Sequence, residues 1–274
     1  MKKTIQKSTI FEKINLIFFV VLSAWWAVLF FGFGAELQDQ NLYWAASYQI
    51  IAWCGCIYGL YISRIWGGYK SSMGKAVMFL SLGLLLQGFG QATFSFYTTI
   101  LHVEIPYPSI SDIGYFGSVI FYTAGIAMLA KVSEMTYRLK EKTGKILVLV
   151  LPIIVLATSY SFFLRNYEFD WSAPLRIFLD FGYPLGEAIY VSIALLCLVL
   201  TWNLLGGVMR RSFILIMIAL CAQYVAEFNF LFRASNSTWI NGGYGDFLYL
   251  FSYFLMTLAL IHIGKSYNTI RDSK

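Results

Sequence analysis

Charge is scarce in this sequence. Asp, Glu, Lys and Arg make up 12% of its 274 residues, with only 2 His, 4 Cys and 5 Pro. A soluble domain carries about 25% charged residues, so this chain has too few to cover a water-facing surface of its size. No Lys falls inside an apolar run, which excludes a retinal Schiff base, and no run carries the repeated Arg of a voltage sensor. Phosphate loops, paired Cys/His zinc spacings and serine-nucleophile motifs are all missing. Cys54, Cys56, Cys197 and Cys221 all lie within apolar runs, where they read as small packing residues rather than as a metal set or an extracellular disulfide. His102 and His262 fall near opposite ends of their runs, too far apart along a membrane normal to share a metal or haem.

What the chain has in abundance is apolar surface: 59% hydrophobic residues, 19% aromatic, and a mean hydropathy of +0.67. These residues come in eight blocks, roughly 15–34, 43–63, 76–101, 111–131, 145–165, 174–203, 212–233 and 245–265. About 20 residues at 1.5 Å each span the hydrocarbon of a bilayer, so the chain reads as a single all-α domain with eight transmembrane helices. Basic residues alternate by loop. Lys2, Lys3, Lys7 and Lys13, then Arg64, Lys70 and Lys75, then Lys131, Arg138, Lys140, Lys142 and Lys145, then Arg210 and Arg211, and finally Lys265, Arg271 and Lys274 share one side. Only Arg165, Arg176 and Arg233 lie on the other. The positive-inside rule then puts both termini in the cytoplasm. The net charge of +6 hides a split: 17 basic and 4 acidic residues inside, 3 and 10 outside. A basic face of this kind suits insertion and anionic headgroups, and gives no reason to expect nucleic acid. The first block follows a Lys-rich start, and Gly32, Gly34 and Ala35 imitate a cleavage site. Its length favours a retained helix over a signal peptide.

The most informative stretch is 110–122, ISDIGYFGSVIFY, which returns as FLDFGYPLGEAIY at 178–190. Asp112, Gly114, Tyr115 and Tyr122 match Asp180, Gly182, Tyr183 and Tyr190, and Asp246 with Tyr249 is a third, partial copy. Gln87 and Gln91 on block three correspond to Gln223 and Glu227 on block seven. A helical hairpin of about 67 residues thus seeds four units, 11–75, 76–144, 145–211 and 212–274. Two crossings per unit make the repeats parallel. The first is the most diverged, with Trp44 and Tyr48 near the expected place. Asp in a first helical turn accepts otherwise unpaired N–H groups, and Tyr three residues on suits the headgroup boundary. Helix-start chemistry alone therefore accounts for part of the pattern.

Other acids lie deeper. Glu227 stands 16 residues from Arg211, Glu187 16 from Asn203 and Gln91 16 from Lys75, each about 24 Å along a helix. An Asp at a helix centre costs roughly 2.5–3.5 kcal/mol on insertion scales, so several acids facing lipid are untenable. The expectation is that Glu187, Glu227, Asp112, Asp180 and Asp246, with Gln91, Gln223, Tyr115, Tyr183 and Tyr249, converge on an outward-open, water-accessible cavity. The alternative is that they hydrogen-bond one another and hold helices together. Pro184 between Gly182 and Gly186, in a block too long for one straight crossing, predicts a hinged sixth helix with an interfacial segment over 174–182. Pro152 could kink the fifth helix, and Asn236-Ser237-Thr238 matches a glycosylation acceptor.

The run Pro106–Tyr115, PYPSISDIGY, and the stretch YPLGE at 183–187 resemble phrases in the multi-helix membrane input regions of prokaryotic signalling proteins, such as those ahead of diguanylate cyclase and histidine kinase modules. The resemblance implies signal reception in a prokaryotic cytoplasmic membrane, with no catalytic residues to carry over. This chain ends nine residues after Lys265 without an output domain, so such a role needs a separate partner. The expected function is a stand-alone membrane sensor or ligand-binding subunit. It would take a small molecule, lipid or cation in its outer cavity and meet a protein partner at its basic inner face; no particular cofactor is indicated. The second expectation is a cation- or proton-coupled transporter or channel using the same acids. A membrane-embedded lipid enzyme and a purely structural subunit follow.

Overall fold

The computed structural model describes residues 2–33, 37–132, 142–165, 167–201 and 209–272. Arg138, Lys140, Lys274, Gly34, Ala35 and the anchor Asn203 lie outside the described residues. Among the described residues there is no strand, and eight helical runs are long and apolar enough to cross a membrane: Thr9–Phe33, Gln38–Ile65, Ser72–Leu101, Ile110–Val132, Gly144–Leu164, Pro174–Leu200, Arg210–Ser235 and Tyr244–Arg271. All eight expected blocks are present, each within a few residues of its expected ends.

The helices are α1 (Lys2–Ala27), α2 (Gln38–Ser47), α3 (Gln49–Ile65), α4 (Ser72–Ser95), α5 (Ile110–Val132), α6 (Lys142–Ser159), α7 (Pro174–Thr201), α8 (Arg210–Ser235) and α9 (Tyr244–Asp272). The second crossing is built from α2 and α3, which are interrupted at Tyr48. α1, α4 and α6 each run on into a π-helical turn, Val28–Phe33, Phe96–Leu101 and Tyr160–Leu164. Local chemistry fixes several starts. Ser71 caps α4 by accepting from the Gly74 amide at 2.8 Å, and Asp112 and Asp246 stand in the first turns of α5 and α9.

Six helices close a ring, each packed on the next: α3, α4, α5, α7, α8, α9 and back to α3. α1 lies outside the ring against α9, and α6 outside it against α7. Only 11% of the apolar window of α1 and 6% of that of α6 is buried within the protein. These two helices depend on lipid to cover them, and their apolar windows have the highest mean hydropathy of the eight, 2.4 each. α4 and α5 make the closest pair. A side chain at Gly114 would stand 2.6 Å from the Leu86 carbonyl oxygen and 2.7 Å from the Gly90 Cα, so only hydrogen fits there.

The sixth crossing differs from expectation. α7 is one uninterrupted helix of 28 residues with Pro184 inside it, and no separate segment precedes it over 174–182. Gly182 and Gly186 are spacers rather than hinge residues. Phe116 and Val119 of α5 come within 2.8 and 2.7 Å of where their Cβ atoms would stand. Close helix contact thus supplies the packing that carries the helix through the proline.

Candidate functional site

Two ends of the bundle differ in chemistry. Arg64, Lys70, Lys75, Lys131, Arg210, Arg211 and Lys265 mark a basic end, and Asp39, Glu104, Asp112, Glu168, Asp170 and Asp246 an acidic end. The polar groups of interest occupy the half of the ring toward the acidic end.

Glu227 is the hub. It is 4% exposed on α8 and accepts three hydrogen bonds: from Gln87 Nε2 of α4 at 2.8 Å, from Gln223 Nε2 one turn back at 2.8 Å, and from the Tyr249 hydroxyl of α9 at 2.6 Å. Both glutamines are themselves held. The Gln87 Nε2 also donates to Ser118 Oγ at 2.7 Å and its Oε1 accepts from Tyr253 at 2.9 Å, while Gln223 Oε1 accepts from Ser252 Oγ at 2.6 Å. One carboxylate therefore ties α4, α8 and α9 together, and α5 through Ser118. Three donors on an acid with no basic partner among the described residues are what lets hydrocarbon-depth burial be tolerated.

Around this hub, tyrosines pin the other predicted residues one at a time. Tyr115 donates to Gln91 Oε1 at 2.7 Å, and the Gln91 amide in turn donates to the Ala45 carbonyl at 3.0 Å. The Tyr183 hydroxyl of α7 donates to Asp112 at 2.8 Å, whose other oxygen accepts from the Ser109 amide at 2.7 Å. Tyr48, at the α2–α3 break, donates to Asp246 at 2.8 Å, and Asp246 also accepts from the Gly242 amide at 2.7 Å. Asp180 stands apart at the loop surface, receiving the hydroxyls of Tyr107 and Tyr167, each at 2.7 Å, with Arg176 Nε 3.8 Å away. Burial first, and the bond to Asp180 second, push the phenols of Tyr107 and Tyr167 up, that of Tyr167 to about 12.

The expected meeting point of the acids does not coincide with the hollows described at the acidic end. Two hollows open at the acidic end. One of about 350 Å³ lies among Phe30, Asn41, Arg233, Trp239 and Tyr244, and one of about 530 Å³ among Asp39, Thr98, His102 and Glu104; Trp239 and Asn241 border both. None of Asp112, Asp180, Glu187, Glu227 or Asp246 lines either. Phenol and amide donors stand at hydrogen-bond distance from Glu227, Asp112 and Asp246. The hollows do sit over the network, because Gly242 lines the first and donates to Asp246 below.

Glu187 is the exception. It is 1% exposed on α7, and its Oε1 is sealed from solvent with no hydrogen-bond partner. The hydroxyl of Tyr190, one turn further along the same face, is in the same condition. Glu187 lies within electrostatic reach of Glu227 and Tyr224.

Sequence reading missed Ser118, Ser252, Tyr253, Tyr107 and Tyr167, and counted Gln87 and Tyr48 as repeat markers only. A signal existed for the serines: they stand 134 positions apart, as Tyr115 and Tyr249 do, and the glutamines that they meet, Gln87 and Gln223, stand 136 apart. No family model, no curated protein and no solved structure matches this chain.

Proposed function

We propose that this protein is a membrane sensor or ligand-binding subunit with both termini on the cytoplasmic side. The acidic end receives a small molecule, lipid or cation at the hollows around Trp239 and Asn241, and the basic end meets a protein partner. The observation that carries this reading is the one-sidedness of the polar interior. The buried acids and their donors gather toward one end, Asp246 with Gly242 and Tyr48, and Glu227 with Gln87, Gln223 and Tyr249. Toward the basic end the ring is filled by Leu80, Leu84, Ile126, Leu129, Met217 and Leu260, none more than 1% exposed. Among the hydroxyls found there, Ser81, Thr257 and Ser63 are tied to the backbone carbonyls of Val77, Ile51 and Gly74, and Ser212 pairs with Ser266. A polar antechamber closed by a dry plug suits a device that registers an event on one side without passing the ligand through.

The internal repeat is part of the proposal. The bond Tyr48 to Asp246 has a counterpart in Tyr183 to Asp112, and Tyr115 to Gln91 has one in Tyr249 to Glu227. Donors and acceptors recur at 134 to 136 residues, twice the hairpin period, which favours two four-crossing halves about an axis along the membrane normal. Each half's tyrosine holds the other half's aspartate, so ligand-driven movement at the hollows would shift one half against the other.

The second reading, a cation- or proton-coupled transporter, is favoured by the unpartnered Glu187 and requires a path through the apolar plug. Reconstituted proteoliposomes under an imposed pH or sodium gradient separate the two. The sensor reading expects leak no faster than in empty vesicles, and gradient-driven flux abolished in Glu227→Gln would sink it.

A further inference from the structure

We propose that Glu187 is a proton-binding site, its carboxyl holding an exchangeable proton inside the bundle while Glu227 stays the carboxylate. The two acids are dressed for opposite forms. Glu227 accepts from three donors, the arrangement of an anion, which has only acceptors to offer. Glu187 has a sealed oxygen and no donor aimed at it. A bare carboxylate in such a place, beside a second negative charge and with no Lys, Arg or His partner among the described residues, would cost more than the fold can offset. The neutral acid carries its own O–H.

Packing alone does not call for an acid here. Tyr48 and Tyr183 are counterparts, and the residue four positions after Tyr48 is Ala52, as Glu187 is four after Tyr183. Ala52 is 0% exposed, so in one half a methyl fills the place that holds a carboxyl in the other.

The titratable groups around Glu187 are few. On α7 itself they are Tyr183, one turn toward the acidic end, and Tyr190, one turn the other way; Ala194 and Cys197 continue the face beyond Tyr190. From α5 come Tyr122, whose ring meets that of Tyr190 at 6.2 Å, and Asp112, bound to Tyr183. From α8 come Glu227 and Tyr224, with Cys221 near Tyr190. Among the described side chains of α6 and its π-helical turn, the titratable ones are Lys145 and Tyr160, both exposed. The nearest hydrogen-bonded acid along this face, Asp112 on Tyr183, lies toward the acidic end, and the proton is proposed to exchange with that side. This inference rests on the reading of the network as the signal-receiving site and names the proton as one ligand of it.

The test is infrared spectroscopy on the purified full chain in lipid nanodiscs at neutral pH, with Glu187→Gln and Glu187→Ala as comparisons. The expected result is a carbonyl-stretch band of a protonated carboxylic acid that shifts in D₂O, present in the wild type and lost in both variants. Glu187→Ala, which copies Ala52, supplies the comparison should Glu187→Gln not fold. Absence of the band from the wild type, or its survival in either variant, overturns the proposal. Sodium-dependent thermal stabilisation of the wild type, replaced by choline without effect in the variants, would overturn it too by naming a metal cation as the occupant. Flux through proteoliposomes would sink the sensor reading and leave the infrared result untouched, so the two failures are distinct.

Discussion

Tyrosine does at residue scale what a salt bridge does in a soluble protein. Each buried acid except Glu187 is held by at least one phenol O–H, at 2.6 to 2.8 Å. A phenol brings a donor without a second charge to desolvate, so a negative site can be held deep in the bundle without importing Lys or Arg. Tyr249→Phe removes one of three donors from Glu227, and hydrogen bonds to charged groups are worth about 1.5–3 kcal/mol. Denaturation in detergent should report a loss of that order; an unchanged midpoint would show that the bond is not formed. Glu227→Gln should destabilise too and end ligand response, whereas Glu187→Gln should keep the fold. At the loop surface the two phenols on Asp180 predict a pH effect. Folded-state values lie above the ordinary tyrosine value of about 10, so their contribution is complete below pH 10 and is lost as pH rises, through about 12 for Tyr167. Tyrosinate absorbance should show these two ionising last among the accessible tyrosines, and Asp180→Asn should move Tyr167 back toward 10.

Close approach and interruption shape the elements. α4 and α5 meet backbone to backbone because Gly90 and Gly114 face each other, and this contact brings Gln87 within 2.7 Å of Ser118. Gly114→Ala would put a methyl group against the Leu86 carbonyl, which cannot rotate away. Overpacking of this kind costs about 1–3 kcal/mol, and the helices would separate enough to break the glutamine–serine bond. Thermal unfolding of the variant should fall accordingly, and a wild-type midpoint would mean that α4 and α5 are not in contact at this point. Tyr48 stands at the interruption between α2 and α3, and its hydroxyl reaches Asp246, 198 positions away.

At the scale of the whole molecule, six helices enclose the polar network and two outliers face lipid. α1 is fastened to α9 near one end and to α2 near the other. Glu12 pairs with Lys265 and lies 3.6 Å from His262 Nε2, and the Trp44 indole donates to the Leu22 carbonyl at 2.8 Å, linking α1 to α2. Even crossing number and the basic end predict both termini on the cytoplasmic side. Reporter fusions active only in the cytoplasm should therefore work at either terminus, and a periplasm-active reporter working at either would reject that orientation.

The eight crossings and the split between a basic and an acidic end were legible in the residue order, because hydrocarbon length and loop charge act on each segment by itself. So was the presence of polar residues at depth: a Gln or Glu sixteen residues into an apolar run announces itself by its cost. Partners were not legible. Nothing local says that Tyr183 reaches Asp112, that Tyr48 reaches Asp246, or that the acids meet phenols. Those choices join residues 71 and 198 positions apart and depend on which helices become neighbours in the ring. Pro184 shows the same division, since its backbone chemistry predicts a break and only the packing of α5 against Gly182 and Gly186 keeps α7 whole. Segment by segment, solvation by lipid is settled by composition; pairing across the bundle is settled by geometry, because a buried polar group accepts whatever donor the fold places within hydrogen-bond reach.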